Sequence, residues 1–272
     1  MKGILKVTSL LLSLACLLTS CREWKGDGNI PSGEEITNRF TAEEEKIADF
    51  SLGVPEGFWA RNDRGNGQPF NCSFASANAV IEDGLLTLSL TESGGRYVGA
   101  EYRSFERLSY GYYSVYMKAA RCDGVISSFF TYCGYPWDEI DIEFLGDDTT
   151  RVQFNYYTRG VGGHEYIYEL GFDAAEDFHE YGFDWQEGSI TFYVDGRSVW
   201  RATENIPTTP GQVMMNLWCV ADSHASWAGR FTGESLPVYA EYGFIGYKPA
   251  EGVSGGNGGT EGGSGHPWGD PR

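Results

Sequence analysis

The chain has 272 residues, with 38 Asp or Glu against 20 Lys or Arg, so its formal net charge is −18 at pH 7. A surface this negative disfavours nucleic acid and anionic lipid headgroups as partners, whereas a neutral substrate is compatible with it. The charge bears on partners and carries no information about the fold.

The first 20 residues have the pattern of a secretory signal peptide. Lys2 and Lys6 precede an apolar run over residues 10–18, which is too short to span a membrane. Cys21 follows two small residues, an order that resembles a bacterial lipobox, in which the cysteine becomes the lipidated N-terminus. An ordinary cleaved signal peptide is the alternative. We expect an exported lipoprotein anchored through Cys21 at the cell surface or facing the periplasm, since each buried methylene contributes roughly 0.8 kcal/mol.

Two stretches of biased composition flank the part of the chain that carries strand patterns. Residues 21–48 are polar and acidic with scattered Gly and Pro, and we interpret them as a spacer from the membrane. Residues 250–272 are rich in Gly and lack an apolar period, which is typical of a flexible tail. Residues 49–249 predict one catalytic domain, because about 200 residues suit a single all-β fold.

Four cysteines follow Cys21, and if all are oxidised three pairings are possible. They are Cys72, Cys122, Cys133 and Cys219. Their spacing matches no zinc motif, the four His residues form no i, i+4 pair, and no G-x-S-x-G is present. A zinc protease and a serine hydrolase are therefore disfavoured.

Apolar and polar residues alternate in several short segments, which is the pattern of strands that bury one face. The clearest segments are residues 86–90, 113–117, 152–156, 190–194 and 213–217. Asp195-Gly196 predicts a tight hairpin to a partner strand around residues 197–202. Many short strands without a long helical period predict an all-β sandwich or barrel.

The stretch from Trp137 to Gly146 reads WDEIDIEFLG. On a strand, Glu139, Asp141 and Glu143 share one face, and the apolar residues between them share the other. Three carboxylates in a row push their pKa values apart, so that one can hold a proton while another stays ionised. Glycoside hydrolysis needs that combination of a proton donor with a nucleophile or base.

A solvated acidic edge strand and a calcium loop are alternatives for this stretch. The first usually alternates with Lys or Thr, and an EF-hand loop has a sixth-position glycine and a non-strand geometry. The spacing also leaves the stereochemistry open. A curved strand could bring the carboxyls of Glu139 and Glu143 to about 5–9 Å, a range that covers both retaining and inverting enzymes.

The faces opposite the aliphatic residues are rich in Tyr, Trp, Asn, Gln and acids rather than Lys and Ser. Strand propensity alone explains any single aromatic residue. Several such faces around a strand with three acids favour a carbohydrate cleft, in which aromatic rings stack on sugars and amides bind their hydroxyls.

The segment from Trp137 to Gly146 resembles the active-site strand of the bacterial lichenases, the β-1,3-1,4-glucanases of glycoside hydrolase family 16. The similarity covers roughly Phe50 to Tyr247. It is carried by four further segments, which are Ala100–Ser104, Ser127–Tyr132, Val152–Tyr157 and Met214–Trp218.

This resemblance implies a concanavalin A-like jelly-roll sandwich with a concave cleft, and an endo-acting retaining enzyme that cleaves β-1,4 bonds next to β-1,3 linkages. Glu139 would be the nucleophile, Glu143 the general acid/base and Asp141 the electrostatic helper. The cleft contacts that it implies are Asn66, Glu101, Arg103, Phe130, Tyr132, Trp137, Gln153, Asn155, Tyr157, Asn216 and Trp218. We expect a monomer whose partner is β-glucan and whose only membrane contact is the lipid anchor.

The chain departs from the family pattern at several positions. Gly99 stands where many members have the cysteine that bridges to the position of Cys72, so that bridge should be missing. Gly243 stands where many members have an Asp that ligates a structural calcium, so neither a metal nor another cofactor is expected. The loop Cys133–Pro136 is shorter than usual, and Arg64 occupies a position that is commonly aromatic, so subsite affinities at that end of the cleft could differ.

Two alternative functions stay open at this point. A laminarinase-type β-1,3-glucanase would share the fold, but that branch generally has one more residue between the Asp and the second Glu, where this chain has Ile142 alone. A non-catalytic glucan-binding surface lipoprotein could use the same scaffold. Such a binder would not need three acids on one strand face.

Overall fold

A computed structural model describes residues 45–252. The signal peptide, Cys21, residues 21–44 of the spacer and residues 253–272 of the tail lie outside this range, so what the sequence indicates about them stays a prediction. Within the range the regular secondary structure is mostly strand, as predicted, with three short 3-10 helices (Phe50–Leu52, Ser76–Asn78 and Asp222–His224) and one single-turn α-helix, α1 (Ala225–Ala228).

In chain order the strands are β1 (Lys46–Asp49), β2 (Phe58–Ala60), β3 (Ser73–Phe74), β4 (Ala79–Glu82), β5 (Leu85–Ser93), β6 (Arg96–Leu108), β7 (Gly111–Lys118), β8 (Val125–Tyr132), β9 (Glu139–Leu145), β10 (Arg151–Tyr157), β11 (Tyr166–Glu169), β12 (His179–Gln186), β13 (Ser189–Val194), β14 (Arg197–Ala202), β15 (Gly211–Cys219) and β16 (Val238–Pro249).

The strands form two layers that pack face to face. The cleft sheet has the order β11-β10-β9-β8-β15-β6-β2, and the back sheet has the order β4-β5-β16-β7-β12-β13-β14. β1 pairs with β16, and β3 runs parallel to β6. The hairpin of β5 with the start of β6 joins the two sheets along one side. The predicted all-β sandwich is confirmed.

The space between the sheets holds the apolar residues that alternation predicted. The inward-facing residues of all five alternating segments are buried. Rings of the cleft sheet contact rings of the back sheet, with centroid distances of 4.8 Å for Phe144 and Tyr181 and 4.6 Å for Phe154 and Phe192. Burying a side chain of this size stabilises the fold by roughly 1.5–3 kcal/mol, so this core holds the cleft sheet in place.

The predicted hairpin at Asp195-Gly196 is confirmed. The two residues have φ values of 48° and 75°, which is the left-handed pair that a two-residue turn of this kind needs. They join β13 to β14, with Val194 paired to Arg197.

The folded part begins slightly before the predicted domain boundary. β1 starts at Lys46, inside the segment that was interpreted as spacer, because Lys46 pairs with Gly246 and Ala48 is buried against the sandwich. Among residues 45–252, no helix is both long and apolar enough to cross a membrane.

Candidate active site

Strand β9 presents its acids and its apolar residues on opposite faces, as predicted. The apolar residues are fully buried between the sheets, and they are Ile140, Ile142 and Phe144. On the other face Asp141 is 5 % exposed, and Glu139 and Glu143 beside it are half-buried. The three carboxyls therefore lie at the surface of the cleft sheet, partly withdrawn from water.

Each acid lies between two directly paired residues of the neighbouring strands β8 and β10, and directly paired residues share a face. These pairs are Gln153 and Ser128 beside Glu143, Asn155 and Phe130 beside Asp141, and Tyr157 and Tyr132 beside Glu139. Five of the six are cleft residues that the resemblance implied.

The same face continues across β15, β6 and β2. Two rows of directly paired residues are Glu143–Ser128–Asn216–Glu101 and Asp141–Phe130–Met214–Arg103–Trp59. At about 4.8 Å between neighbouring strands, the second row covers ~19 Å. A linear chain of sugar rings lying across the strands would pass over the acids and over this band of amide, aromatic and charged side chains.

Glu101 organises the far end of the band. It is buried and forms ion pairs with Arg103 and Arg61. Arg61 Nη1 also donates a 2.6 Å hydrogen bond to Asn66 Oδ1. Burial lowers the pKa of Arg103 to about 10, which still leaves it charged near neutral pH. Asn66, from the segment between β2 and β3, is thus brought beside Glu101 and Arg103.

Trp218 is placed differently from the other implied contacts. Its ring is only 3 % exposed and packs against Phe70, with centroids 4.0 Å apart, and against Trp227 at 6.0 Å. These rings belong to a small apolar cluster separate from the main core. Trp218 therefore supports the rings that cover it and does not present a free face to the cleft.

Trp137 lies immediately before β9 and contacts both Tyr157 of the neighbouring strand and Glu139. Its φ is 68°, in the left-handed region, which turns the side chain toward Tyr157 of β10. The two rings stack with centroids 5.1 Å apart and planes 18° from parallel. Its indole Nε1 donates a 2.6 Å hydrogen bond to Glu139 Oε2.

Asp138, next to Trp137, connects its own loop to two others, one at Arg159 and one at Thr208 and Thr209. Its Oδ1 accepts the backbone N–H of Arg159 at 2.8 Å, and its Oδ2 accepts those of Thr208 and Thr209 at 2.9 Å each. Burial opposes ionisation, but the three backbone donors outweigh it and lower the pKa of Asp138. A buried carboxylate thereby fixes the backbone between Trp137 and Glu139.

Burial is the main cause of unusual acidity among the three acids of β9. It raises the pKa of Glu139 to about 8 and that of Glu143 to about 7, and it moves the pKa of Asp141 well above its ordinary value. The negative charge of Glu143 adds to the rise at Glu139 and Asp141. Burial alone therefore does not separate an acid from a nucleophile here.

The two glutamates accept different hydrogen bonds. Glu139 accepts from Trp137 Nε1 and from the carboxyl of Asp141, and both contacts lower its pKa. The same contact raises the pKa of Asp141, so Asp141 holds the shared proton. These contacts oppose the effect of burial at Glu139, but its pKa of about 8 stays above the value of about 7 for Glu143, so the order of the two pKa values does not assign their roles. The raised pKa of Glu143 suits a group that must deliver a proton near neutral pH.

Glu143 is oriented by a chain of two donors. Gln153 Nε2 donates to Glu143 Oε2 at 2.8 Å, and Trp227 Nε1 donates to Gln153 Oε1 at 3.1 Å. Trp227 lies on α1, which follows β15. The indole fixes which way the amide of Gln153 points, and the amide then faces the acid with its N–H.

Sequence reasoning missed several residues that line or support the site. They are Trp59, Arg61, Ser128, Met214, Asp138 and Trp227. Ser128 and Met214 could have been found, because they follow the same alternation as Phe130 and Asn216 on their strands. The others lie in loops, at an edge strand or on α1, and the strand period gives no signal for them.

The structure leaves all four cysteines between residues 45 and 252 unbridged. Within the same range, no cluster of three His, Cys, Asp or Glu side chains has the arrangement of a metal site.

Comparison with known proteins covers the part of the chain that carries this site. Residues 66–234, more than half of the chain, match the model of glycosyl hydrolases family 16. A β-glucanase of Acetivibrio thermocellus is 51 % identical over 198 residues, covering 70 % of this chain and 59 % of that protein. A β-glucanase of Paenibacillus polymyxa is 54 % identical over 188 residues, covering 67 % and 78 % respectively.

Solved structures give the same result. The Bacillus licheniformis β-glucanase has a TM-score of 0.72 at 46 % identity, covering 74 % of this chain and 97 % of that one. A lichenase from a mouse hindgut metagenome has a TM-score of 0.71 at 45 % identity, covering 75 % and 98 %. The family match includes β9 and both of its neighbours, and by this match the chain belongs to glycosyl hydrolases family 16.

Proposed function

We propose that this protein is a retaining endo-1,3-1,4-β-D-glucanase that cleaves β-1,4 bonds next to β-1,3 linkages in mixed-linkage β-glucans. The observation that carries the proposal is the acid face of β9, where Glu139 accepts hydrogen bonds from Trp137 and Asp141, and Glu143, on the same face, accepts one from Gln153. The neutral amides and rings beside the acids suit an uncharged polysaccharide, and the net charge of −18 agrees with one.

The proposed reaction has two steps. Glu143 gives its proton to the glycosidic oxygen while Glu139 attacks the anomeric carbon, which forms a glycosyl-enzyme and releases the reducing-end fragment. Glu143, now ionised, takes a proton from water, and the water oxygen displaces Glu139. Asp141 and Trp137 stabilise the carboxylate of Glu139 before the first step and after the second. Retention needs the two carboxyls about 5–5.5 Å apart over Asp141.

The linkage preference is supported by the length of the catalytic strand and by the relatives. Ile142 alone separates Asp141 from Glu143. Relatives named β-glucanase are 51 % and 54 % identical to this chain. Two laminarinase structures are 18 % and 21 % identical, which supports a shared fold only. The chain spans 59 % of the length of the Acetivibrio thermocellus relative. The linkage preference of this protein therefore needs a direct measurement.

Substrate preference is tested by incubating the purified protein with barley β-glucan, laminarin and carboxymethylcellulose and measuring new reducing ends. We expect hydrolysis of barley β-glucan and little release from the other two. Hydrolysis of laminarin but not barley β-glucan would make the protein a laminarinase. Binding of barley β-glucan without any hydrolysis would make it a glucan-binding protein.

The roles of the two glutamates are separated by azide rescue with an activated aryl glycoside. Glu139→Ala lacks the nucleophile, so azide should attack directly and give the α-glycosyl azide. Glu143→Ala still forms the glycosyl-enzyme, so azide should give the β-glycosyl azide. The opposite pair of products would exchange the two assignments.

We also propose that the protein is exported, lipidated on Cys21 and active as a monomer. The support is the order of charged, apolar and small residues up to Cys21. In a bacterial host, the wild type should enter the detergent phase and Cys21→Ser should stay in the aqueous phase. Equal partition of the two proteins would contradict the lipid anchor. Elution from a size-exclusion column at twice the mass of one chain would contradict the monomer.

We propose that the fold needs no calcium at the position of Gly243. A Cβ on Gly243 would lie 2.9 Å from Cδ1 of Tyr116, so a carboxylate side chain there would require the Tyr116 ring to move. Chelator should leave the melting temperature unchanged. A clear drop would reveal that other groups bind a stabilising ion.

A further inference from the structure

Two cysteines lie side by side at one end of the cleft sheet. Cys72 immediately precedes β3, and Cys219 is the last residue of β15. The Asn71 backbone N–H donates to the Cys219 carbonyl oxygen at 2.8 Å, and Cys219 Sγ lies 3.5 Å from the Asn71 carbonyl oxygen. The two thiols are themselves in hydrogen-bonding contact.

Gly99 of β6 explains why the Cys72 thiol faces Cys219. A Cβ on Gly99 would lie 2.3 Å from the Leu217 carbonyl oxygen and 3.2 Å from Cys72 Sγ. β15 therefore approaches β6 so closely at this point that a side chain at position 99 would collide with its backbone. Cys72 is left with the thiol of β15 as its sulfur neighbour.

The other two cysteines between residues 45 and 252 have different contacts. Cys122 hydrogen-bonds with Ser235 and lies 3.7 Å from the Asp123 carbonyl oxygen. Cys133 is buried, and its sulfur accepts the Asp138 backbone N–H at 3.1 Å. The contact of Cys72 with Cys219 is thus the thiol pair that the fold brings together.

We propose that Cys72 and Cys219 form a disulfide when the folded protein meets a small-molecule disulfide. Cys72 is partly exposed whereas Cys219 is fully buried, so Cys72 reacts first. Its contact with the Cys219 thiol lowers its pKa, which favours the thiolate.

The exchange is balanced in two displacements. The Cys72 thiolate attacks one sulfur of the small-molecule disulfide and expels the first small thiolate. The Cys219 sulfur, after losing its proton, attacks Cys72 in this mixed disulfide and expels the second. The protein loses two protons and two electrons, and the small-molecule disulfide is reduced to two thiols.

The bond would tie the segment that carries Asn66 and Phe70 to the strand that carries Asn216 and Trp218. Phe70 already packs on Trp218, so the bond would fix an existing contact. A bridge that closes a long loop restricts the unfolded chain strongly. The melting temperature of the oxidised protein should exceed that of the reduced protein by on the order of 5–10 °C.

The test uses the whole protein, incubated with oxidised glutathione or with a reductant and digested under non-reducing conditions. Mass spectrometry should find the peptides of Cys72 and Cys219 joined after oxidation, with the loss of two hydrogens. Free thiols at both positions after oxidation, or a bridge from either residue to Cys122, would overturn the proposal.

Thermal melts of serine variants complete the test. Cys72→Ser and Cys219→Ser should each abolish the difference between oxidised and reduced protein, and Cys122→Ser should keep it. A difference that persists in Cys72→Ser would overturn the proposal. If a serine variant does not fold, the peptide map of the wild type decides alone.

Discussion

The indole Nε1 of Trp137 donates a 2.6 Å hydrogen bond to Oε2 of Glu139, two residues further along the chain. The backbone makes this possible because Trp137 is left-handed and turns its ring back over the start of β9. The stack on Tyr157 fixes the ring in that position. A residue that looks like a sugar platform in the sequence is therefore also a donor to the proposed nucleophile.

Trp137→Phe should keep the stack on Tyr157 and lose the hydrogen bond to Glu139. Because that bond lowers the pKa of Glu139, the limb of the kcat/KM profile that Glu139 sets should move to higher pH. A hydrogen bond to a charged group is worth roughly 1.5–3 kcal/mol, so kcat should fall about 10- to 100-fold. Tyr157→Phe, which keeps both the ring and the indole donor, is the control; an equal shift in that variant would contradict the role of the indole.

Glu139→Gln should abolish turnover and leave binding of barley β-glucan nearly intact. The amide is close in shape to the carboxylate but is not a nucleophile, so we expect a loss of roughly 10⁴-fold or more in kcat. Hydrolysis and affinity electrophoresis in gels that contain β-glucan measure the two effects. Hydrolysis at the wild-type rate would remove the nucleophile assignment.

Gln153→Leu should move the limb of the kcat/KM profile that Glu143 sets to higher pH. Glu143 has a pKa of about 7, raised by burial and lowered by the Gln153 hydrogen bond. Removal of the donor raises the pKa further, so the proton on Glu143 persists to higher pH. The limb that Glu139 sets should move much less and serves as the internal control. A profile in which neither limb moves would mean that Glu143 is not the general acid.

Asp138→Ala should leave three backbone N–H groups without their acceptor. We expect a loss of roughly 2–4 kcal/mol in the free energy of unfolding, measured with denaturant, together with a lower kcat because Trp137 and Glu139 shift. Asp138→Asn keeps one acceptor oxygen and should lie between the two. The pKa of Asp138 is lower in the folded than in the unfolded protein. The stability that Asp138 contributes is therefore present at pH values above its unfolded-state pKa, and it is lost as the pH falls through its folded-state pKa. Equal stability of Asp138→Ala and wild type at neutral pH would contradict this role.

Glu180→Gln should stabilise the protein at alkaline pH. Glu180 is 2 % exposed, and Oε2 has no hydrogen-bond partner among the described residues. Burial raises its pKa from 4.5 to about 7, so the folded state favours the protonated form. Stability is then fully present below about pH 4.5 and falls by about 3 kcal/mol as pH rises to about 7.

Unfolding by denaturant at pH 4.5 and pH 8 checks this dependence. Glu180→Gln should match the wild type at the lower pH and exceed it at the higher pH. Glu82→Gln, at an exposed position of β4, is the control and should change neither value. A Glu180→Gln protein with the pH dependence of the wild type would show that Glu180 titrates as an exposed acid.

Strand patterns and the acid face of β9 were accessible from the order of residues, because a period of two assigns each side chain to a face wherever the strand lies. That period placed Ile140 in the core and Glu139 outside it. It also made Ser128 and Met214 available as cleft residues beside Phe130 and Asn216. The local turn at Asp195-Gly196 was accessible for a similar reason, since two adjacent residues determine its conformation.

Contacts between segments far apart in the chain were not accessible in this way, because no local period encodes them. Asp138 meets Thr208 and Thr209, Trp227 holds Gln153, and Phe70 covers Trp218 only after loops and strands have been brought together by burial of the core. The thiols of Cys72 and Cys219 meet for the same reason. Residue order therefore identified the acids and their strand, whereas packing between distant segments selected the groups that hold those acids in position.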